Sequence, residues 1–171
     1  MARFQLSTKR AILSPVAPED AVTLHQLWTK QKVRRYLWDD QIIPEEQTRE
    51  IISISEKQFQ TEQSGLWLMR KPKDKALIGF CGLWYFFDEP QPQLLFGLDP
   101  ACFGYGFATE GASCIIDYAF NNLKFSYLIA SCDAPHIASI KVMERLGMTK
   151  ESESVKDGLY TFFYKLESTC S

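Results

Sequence analysis

The 171-residue chain has only two histidines, His25 and His136, and five cysteines, with no Cys-x-x-Cys pair. Two imidazoles and scattered thiols give no metal-ligand spacing, so neither a structural zinc site nor a disulfide framework is expected. No uninterrupted apolar run approaches the roughly 18 residues of a membrane span. The start, Met1 to Arg10, is polar and basic and leads into no apolar signal region, so a cytoplasmic protein with reduced thiols is expected. Charge of one sign is missing as well. Nineteen basic against twenty-one acidic residues give a net charge of -2, which points to neither nucleic acid nor membrane as a partner. Internal repeats and low-complexity stretches are absent too.

What remains is the composition of an ordinary globular domain, 46% hydrophobic and 23% charged. The length fits one domain over 1–171, large enough to stabilise itself by burial. Ala11 to Val16 reads as a strand, followed by a helix opened by Pro18, Glu19 and Asp20. Pro44-Glu45-Glu46 opens a second helix, which Gly65 is expected to close. The polar segment Gln31 to Ile43 is expected to be a loop. Strands are expected at Leu66 to Arg70, Ala76 to Phe87 and Gln93 to Leu98, with Gly79 and Gly82 marking a bulge or a close approach. Ala112, Ile115, Ile116, Ala119 and Leu123 fall at steps of three and four and predict a helix. Phe125 to Cys132 reads as a strand, and Asp133-Ala134-Pro135 opens a helix stopped by Gly147. Lys150 to Val155 and Leu159 to Leu166 flank Asp157-Gly158 as a hairpin. The order gives a mixed α/β or α+β sheet.

The chemistry concentrates at the strand–glycine–helix unit. Glycines before a helix start let a ligand approach backbone N–H groups at the positive end of the dipole, where phosphates bind. Gly104-x-Gly106 alone fits a plain turn equally well. A P-loop would need Gly-Lys-Ser/Thr, which is missing. A dinucleotide fingerprint would need a third glycine where Thr109 stands, and too little chain follows Asp133 for the remaining strands. Coenzyme A is a third option, whose pyrophosphate can rest on the same kind of helix start.

Leu98-Asp99-Pro100 followed by Phe103-Gly104-Tyr105-Gly106-Phe107-Ala108-Thr109-Glu110 resembles the acetyl-coenzyme A signature of the GNAT acetyltransferases, specifically the RimJ/RimL-type branch. Ala138 to Met148, Val33 to Leu37, and Leu77-Ile78-Gly79 with Gly82-Leu83 resemble further motifs of that branch, in order along nearly the whole chain. The resemblance implies a sheet, mostly antiparallel, that splays between its fourth and fifth strands, Gln93–Leu98 and Phe125–Cys132. It implies acetyl-CoA as cosubstrate and no metal. Phe103, Gly104, Tyr105, Gly106, Phe107, Ala108 and Thr109 would form the pyrophosphate turn, and the backbone of Leu98 would pair with the pantetheine arm and polarise the thioester.

Four positions depart from the family pattern. Phe103 replaces the usual Arg, Gln or Trp, Tyr105 the Lys between the glycines, His136 an asparagine, and Gln93 a frequent glutamate. An amide cannot take a proton, so Gln93 is expected to hold a water that carries the proton towards solvent or His136, with Asp88 and Glu89 as the next candidate bases. Ser139 is the candidate proton donor to the leaving thiolate, although a serine is also common in a first helical turn. His136 is the candidate relay, and would otherwise be a half-exposed helix-start histidine. Trp28, Tyr36, Trp38, Trp67, Trp84, Tyr85, Phe86 and Phe87 are mostly core candidates. Tyr36 and Trp38 are the candidate substrate walls, and Asp39, Asp40, Glu45 and Glu46 could attract a cationic amine. The acceptor would be a small-molecule or peptide amine and the protein a monomer or homodimer. A non-catalytic CoA-binding module and a dinucleotide-binding fragment are the rival readings.

Overall fold

Continuous apolar runs in the first half pair into a five-stranded sheet, and the C-terminal hairpin pairs with the strand before it into a second sheet of three. The computed structural model describes residues 2–86, 89–133, 136–156 and 158–169. Phe87, Asp88, Ala134, Pro135, Asp157 and Cys170 lie outside the described residues. The elements are β1 (Leu6–Ser7), β2 (Ile12–Pro15), α1 (Ala21–Thr29), α2 (Gln31–Leu37), α3 (Glu45–Glu62), β3 (Leu66–Arg70), β4 (Leu77–Trp84) and β5 (Gln93–Leu98). Then come α4 (Phe107–Asn121), β6 (Tyr127–Asp133), α5 (Ile137–Arg145), β7 (Thr149–Lys156) and β8 (Leu159–Glu167). The first sheet runs β1-β2-β3-β4-β5 and the second β6-β8-β7, every recorded ladder antiparallel. The two sheets part between β5 and β6, the two strands expected to splay.

Helices cover the first sheet on both sides. Leu24, Leu27 and Trp28 of α1 and Ile52 of α3 pack with Leu66, Leu68 and Phe80. Ala112, Ile115, Ile116 and Ala119 of α4 pack with Trp67, Met69, Cys81 and Leu98. Full burial of Ile115 alone is worth roughly 1.5–3 kcal/mol. Gly111 lets α4 lie close on the sheet, because a Cβ there would sit 2.7 Å from the Met69 sulfur.

Three expectations are corrected. Gln31 to Leu37 is a helix, so Tyr36 sits in α2 and Trp38 caps its end. Gly65 does not close α3. Gln63 takes the left-handed capping conformation, φ 61°, and Gly65 is required for space, since a Cβ would fall 2.6 Å from Ser55 Oγ. The strand expected to reach Phe87 ends at Trp84. Gly79 and Gly82 do mark irregular, crowded backbone. The β3–β4 register shifts between Met69 and Arg70, opposite Gly79 and Leu77, and Gly82 lies against Gly65.

A Cβ on Gly82 would sit 2.2 Å from the Gly65 carbonyl oxygen, which rigid strands cannot relieve. Gly82→Ala is therefore expected to cost about 2 kcal/mol or more, the upper range for overpacking. In a thermal melt this lowers Tm by at least about 4 °C for a chain of this size.

Candidate active site

The site begins where β5 and β6 separate. Gln91 Nε2 donates to the Tyr127 carbonyl at 2.7 Å, and Ser131 Oγ donates to Gln93 Oε1 at 3.0 Å. The two contacts advance in the same chain direction, so β5 and β6 start side by side and parallel. Beyond Ser131 the contact is replaced by a cavity of about 120 Å³. Leu95 to Leu98, Ser131 and His136 line it, with Lys32, Tyr36 and Leu37 of α2 as its cover.

The edge of β5 facing this gap can be read from one bond. Asp99 N donates to Ile78 O at 2.8 Å, so the amide of Asp99 points to β4. Strand backbone groups alternate sides, so the N–H and C=O of Leu98 face the cleft. Asp99 also fixes the strand exit. Its carboxylate accepts from Lys30 Nζ at 2.7 Å and from the Ala101 amide at 3.0 Å. Burial raises its pKa, but these bonds and the Lys30 charge outweigh burial and hold it below the usual value.

After this exit the backbone turns through Gly104 (φ 86°) and Gly106 (φ 82°), both in the left-handed region that favours glycine. Nothing lies within 4 Å of a Cβ built on Gly104, so the turn is open for close approach. The first bond of α4 is Glu110 N to Gly106 O at 3.1 Å. The N–H groups of Phe107, Ala108 and Thr109 thus precede the helical ladder. Phe103 and Tyr105 are 46% and 65% exposed and flank the turn. Phe107 is buried and anchors it in the core.

Across the gap, Ser139 Oγ in the first turn of α5 lies 2.9 Å from His136 Nδ1. The His136 ring stacks on Tyr36 at 3.9 Å between centroids and 6° between planes. Burial first, and the Arg35 charge second, push the His136 pKa down to about 4. A neutral ring in its Nδ1–H tautomer donates to Ser139 Oγ and leaves the serine hydroxyl hydrogen free for another acceptor. Gln93 is 1% exposed, and its Nε2 has no hydrogen-bond partner among the described residues.

The structure brings together Tyr36, His136, Ser139, Leu98 and the glycine turn. Trp38 packs edge-on against Trp28 at 5.5 Å and is not among the cavity walls. The acids disperse. Asp40 pairs with Arg34, Glu45 with Arg49, and Asp39 lies near Asp133, whose pKa is raised by burial and then by the Asp39 charge. Sequence reasoning missed Ser131, which no local pattern marks, and Arg10, which binds Glu110 from the β1–β2 turn. Among the described residues no group of three or more His, Cys, Asp or Glu is placed to hold a metal. Nor is any helix long and apolar enough to cross a membrane.

Residues 10–149 match the family model for the acetyltransferase (GNAT) domain. The chain therefore belongs to the GNAT family of N-acetyltransferases. It is 28% identical over 149 residues to an uncharacterized N-acetyltransferase, p20, of Bacillus licheniformis, across 85% of this chain and 83% of that protein. Among solved structures, an acetyltransferase from Agrobacterium tumefaciens superposes with a TM-score of 0.84 at 20% identity, covering 96% of this chain and 94% of that one. RimL, a ribosomal L7/L12 alpha-N-protein acetyltransferase, in complex with coenzyme A, superposes with a TM-score of 0.82 at 17% identity, covering 95% and 97%.

His136 has a lower pKa folded than the reference value of 6.5. The unfolded chain therefore binds more protons between the two values, and this residue's contribution to stability falls as pH drops from about 6.5 towards about 4. In NMR titration the His136 resonances are expected to stay those of a neutral ring down to about pH 5. His136→Asn should flatten the acid side of the stability profile between these limits.

Proposed function

We propose that the protein transfers the acetyl group of acetyl-CoA to a primary amine, carried by a small molecule or a peptide N-terminus. The observation that carries this reading is the joining of two hydrogen-bonding surfaces end to end. The cleft-facing backbone of Leu98 suits an amide-bearing arm, and the amides from Gly104 to Thr109 suit a pyrophosphate. Together they match the two halves of coenzyme A. An occupant with its phosphates on the α4 start and its arm along β5 would bring its thioester to the cavity under Tyr36 and His136.

Transfer is direct in this reading. The amine nitrogen forms a bond to the acetyl carbon, the carbon–sulfur bond breaks, the nitrogen loses a proton and the sulfur gains one. An acetyl-cysteine route would need a thiolate. Burial raises the thiol pKa of Cys81, Cys102, Cys114 and Cys132, the last to about 12. Leu98 N–H polarises the carbonyl, Ser139 hands its proton to sulfur and regains one from His136 Nδ1–H, and the ring takes up a solvent proton at Nε2. Gln93, fixed by Ser131, takes the place of an acidic base and leaves a buried N–H donor suited to holding a water. The reading further places the reaction in the cytoplasm, with acetyl-CoA as cosubstrate and no metal.

Purified protein is expected to release free thiol from acetyl-CoA when offered a panel of primary amines. Binding of CoA without thiol release for any amine would favour the non-catalytic module instead. Ser139→Ala should lower kcat by roughly 10²-fold, the range of general acid catalysis, with little change in CoA affinity. Equal turnover would remove Ser139 from the chemistry.

The pH dependence follows from the want of a strong base at the site. His136 titrates near 4 and Gln93 not at all, so neither changes charge in the neutral range. The rate should climb from pH 6 to 8 and track the acceptor's own pKa. A plateau starting well below pH 7 would show another base at work.

A further inference from the structure

Backbone amides and a helix dipole give the glycine turn partial positive charge only, and Phe103 and Tyr105 add none. A full cation nevertheless stands beside it. Arg10, in the turn between β1 and β2, places its guanidinium carbon 4.2 Å from the centre of the Phe107 ring. Its Nη2 lies 3.5 Å from the position of a Cβ on Gly106, the capping residue of α4.

The guanidinium is held in place by a separate set of bonds. Arg10 Nε donates to Glu110 Oε1 at 2.8 Å, and Arg10 N donates to Glu110 Oε2 at 2.9 Å. Thr8 Oγ1 donates to the same carboxylate oxygen. Burial raises the Glu110 pKa, but these bonds and the Arg10 charge lower it further, so Glu110 stays ionised. An ionised Glu110 in the first turn of α4 would by itself repel an anion at the helix start. Arg10 neutralises that charge through its Nε edge. Among the described residues neither Nη group makes a hydrogen bond, and the side chain is 42% exposed. A planar guanidinium can serve a carboxylate with one edge and a phosphate with the other.

We propose that Arg10 is a phosphate-binding residue of the cosubstrate site, supplying the cation that the glycine turn itself lacks, with Glu110 and Thr8 as its positioning residues. This rests on the acetyl-CoA reading above. It makes the β1–β2 turn part of the binding site, although almost the whole first sheet separates it in sequence from α4.

The test is titration of wild type, Arg10→Gln and Arg10→Lys with acetyl-CoA at low and high salt, with melting curves to confirm folding. Wild type binding no acetyl-CoA would remove the reading of the site itself, before any variant is compared. Given wild-type binding, Arg10→Gln should raise Kd at least about tenfold at low salt, as loss of a charge-assisted bond does. Its binding should also depend less on salt than that of wild type. Arg10→Lys should recover most of the low-salt loss. Dephospho-acetyl-CoA separates the two phosphate sources. A penalty that persists with it assigns the contact to the pyrophosphate, and a penalty that vanishes assigns it to the 3′-phosphate. The proposal is overturned if Arg10→Gln binds like wild type. It is equally overturned if Kd rises with unchanged salt dependence and no rescue by lysine, since Arg10 then only braces the α4 start.

Discussion

Past Gln93 and Ser131 the backbone of β5 has a hydrogen-bonding partner on one side only, and much of the molecule is arranged around that loss. A buried strand edge is costly, because each unpaired N–H or C=O forfeits the bond it had in water. Two side-chain bonds, from Gln91 and from Ser131, hold β5 and β6 together just before they part. Beyond them the Leu98 backbone faces a cavity rather than a strand. The second sheet is ordered β6-β8-β7, so β6 is an edge strand as well, paired with β8 on one side and facing the gap with the other. A ligand whose backbone resembles a peptide can then occupy the place of the missing strand, which is a β-addition mode of recognition.

The parting also determines where charge can sit. At the α4 end the glycine turn is open, with a helix start and the Arg10–Glu110 pair at its margin. At the other end the two candidate proton-handling groups are neutral, although Lys32 covers the cavity and Arg35 stands beside His136. His136 is held unprotonated by burial and by Arg35, and Gln93 carries no charge. Asp99, the ionised carboxylate nearest the strand exit, is already committed to Lys30 and the Ala101 amide.

How much of this could be read in advance differs by the range of the interactions involved. The bounds of β3 and β5 follow from apolar runs closed by turn residues, and they match the structure residue for residue. The α4 face and the Gly147 stop likewise follow from local spacing. Helix α2 does not. Its seven residues include Lys32, Arg34 and Arg35, and only Val33 is buried. Short polar helices are marginal alone, and here tertiary contacts decide: the Tyr36–His136 stack and the Trp28–Trp38 pair pin its far end. Gly65 misled for a related reason. It looks like a helix stop, but crowding from Ser55 and Phe59 demands it two residues beyond the true cap. The glycine turn was readable because its shape depends on backbone conformation that glycine alone adopts freely. Arg10 and Ser131 were not, because each acts through a partner far away in sequence.

Gln93 shows how burial and chemistry meet at one position. A carboxylate there would be almost wholly enclosed, and burial raises the pKa of an acid. Such a group is a stronger base once ionised but is ionised less often, so its advantage at neutral pH is smaller than its identity suggests. The amide avoids that desolvation penalty and accepts the Ser131 hydroxyl with its oxygen. Its nitrogen remains a buried donor without a partner among the described residues, a feature that costs stability unless a water or ligand satisfies it. The position therefore trades proton affinity for a fixed donor beside the cleft. In the proposed reaction, proton removal would then pass to the acceptor's own equilibrium with solvent, and the protein's part would be to hold a neutral amine and a polarised carbonyl in contact.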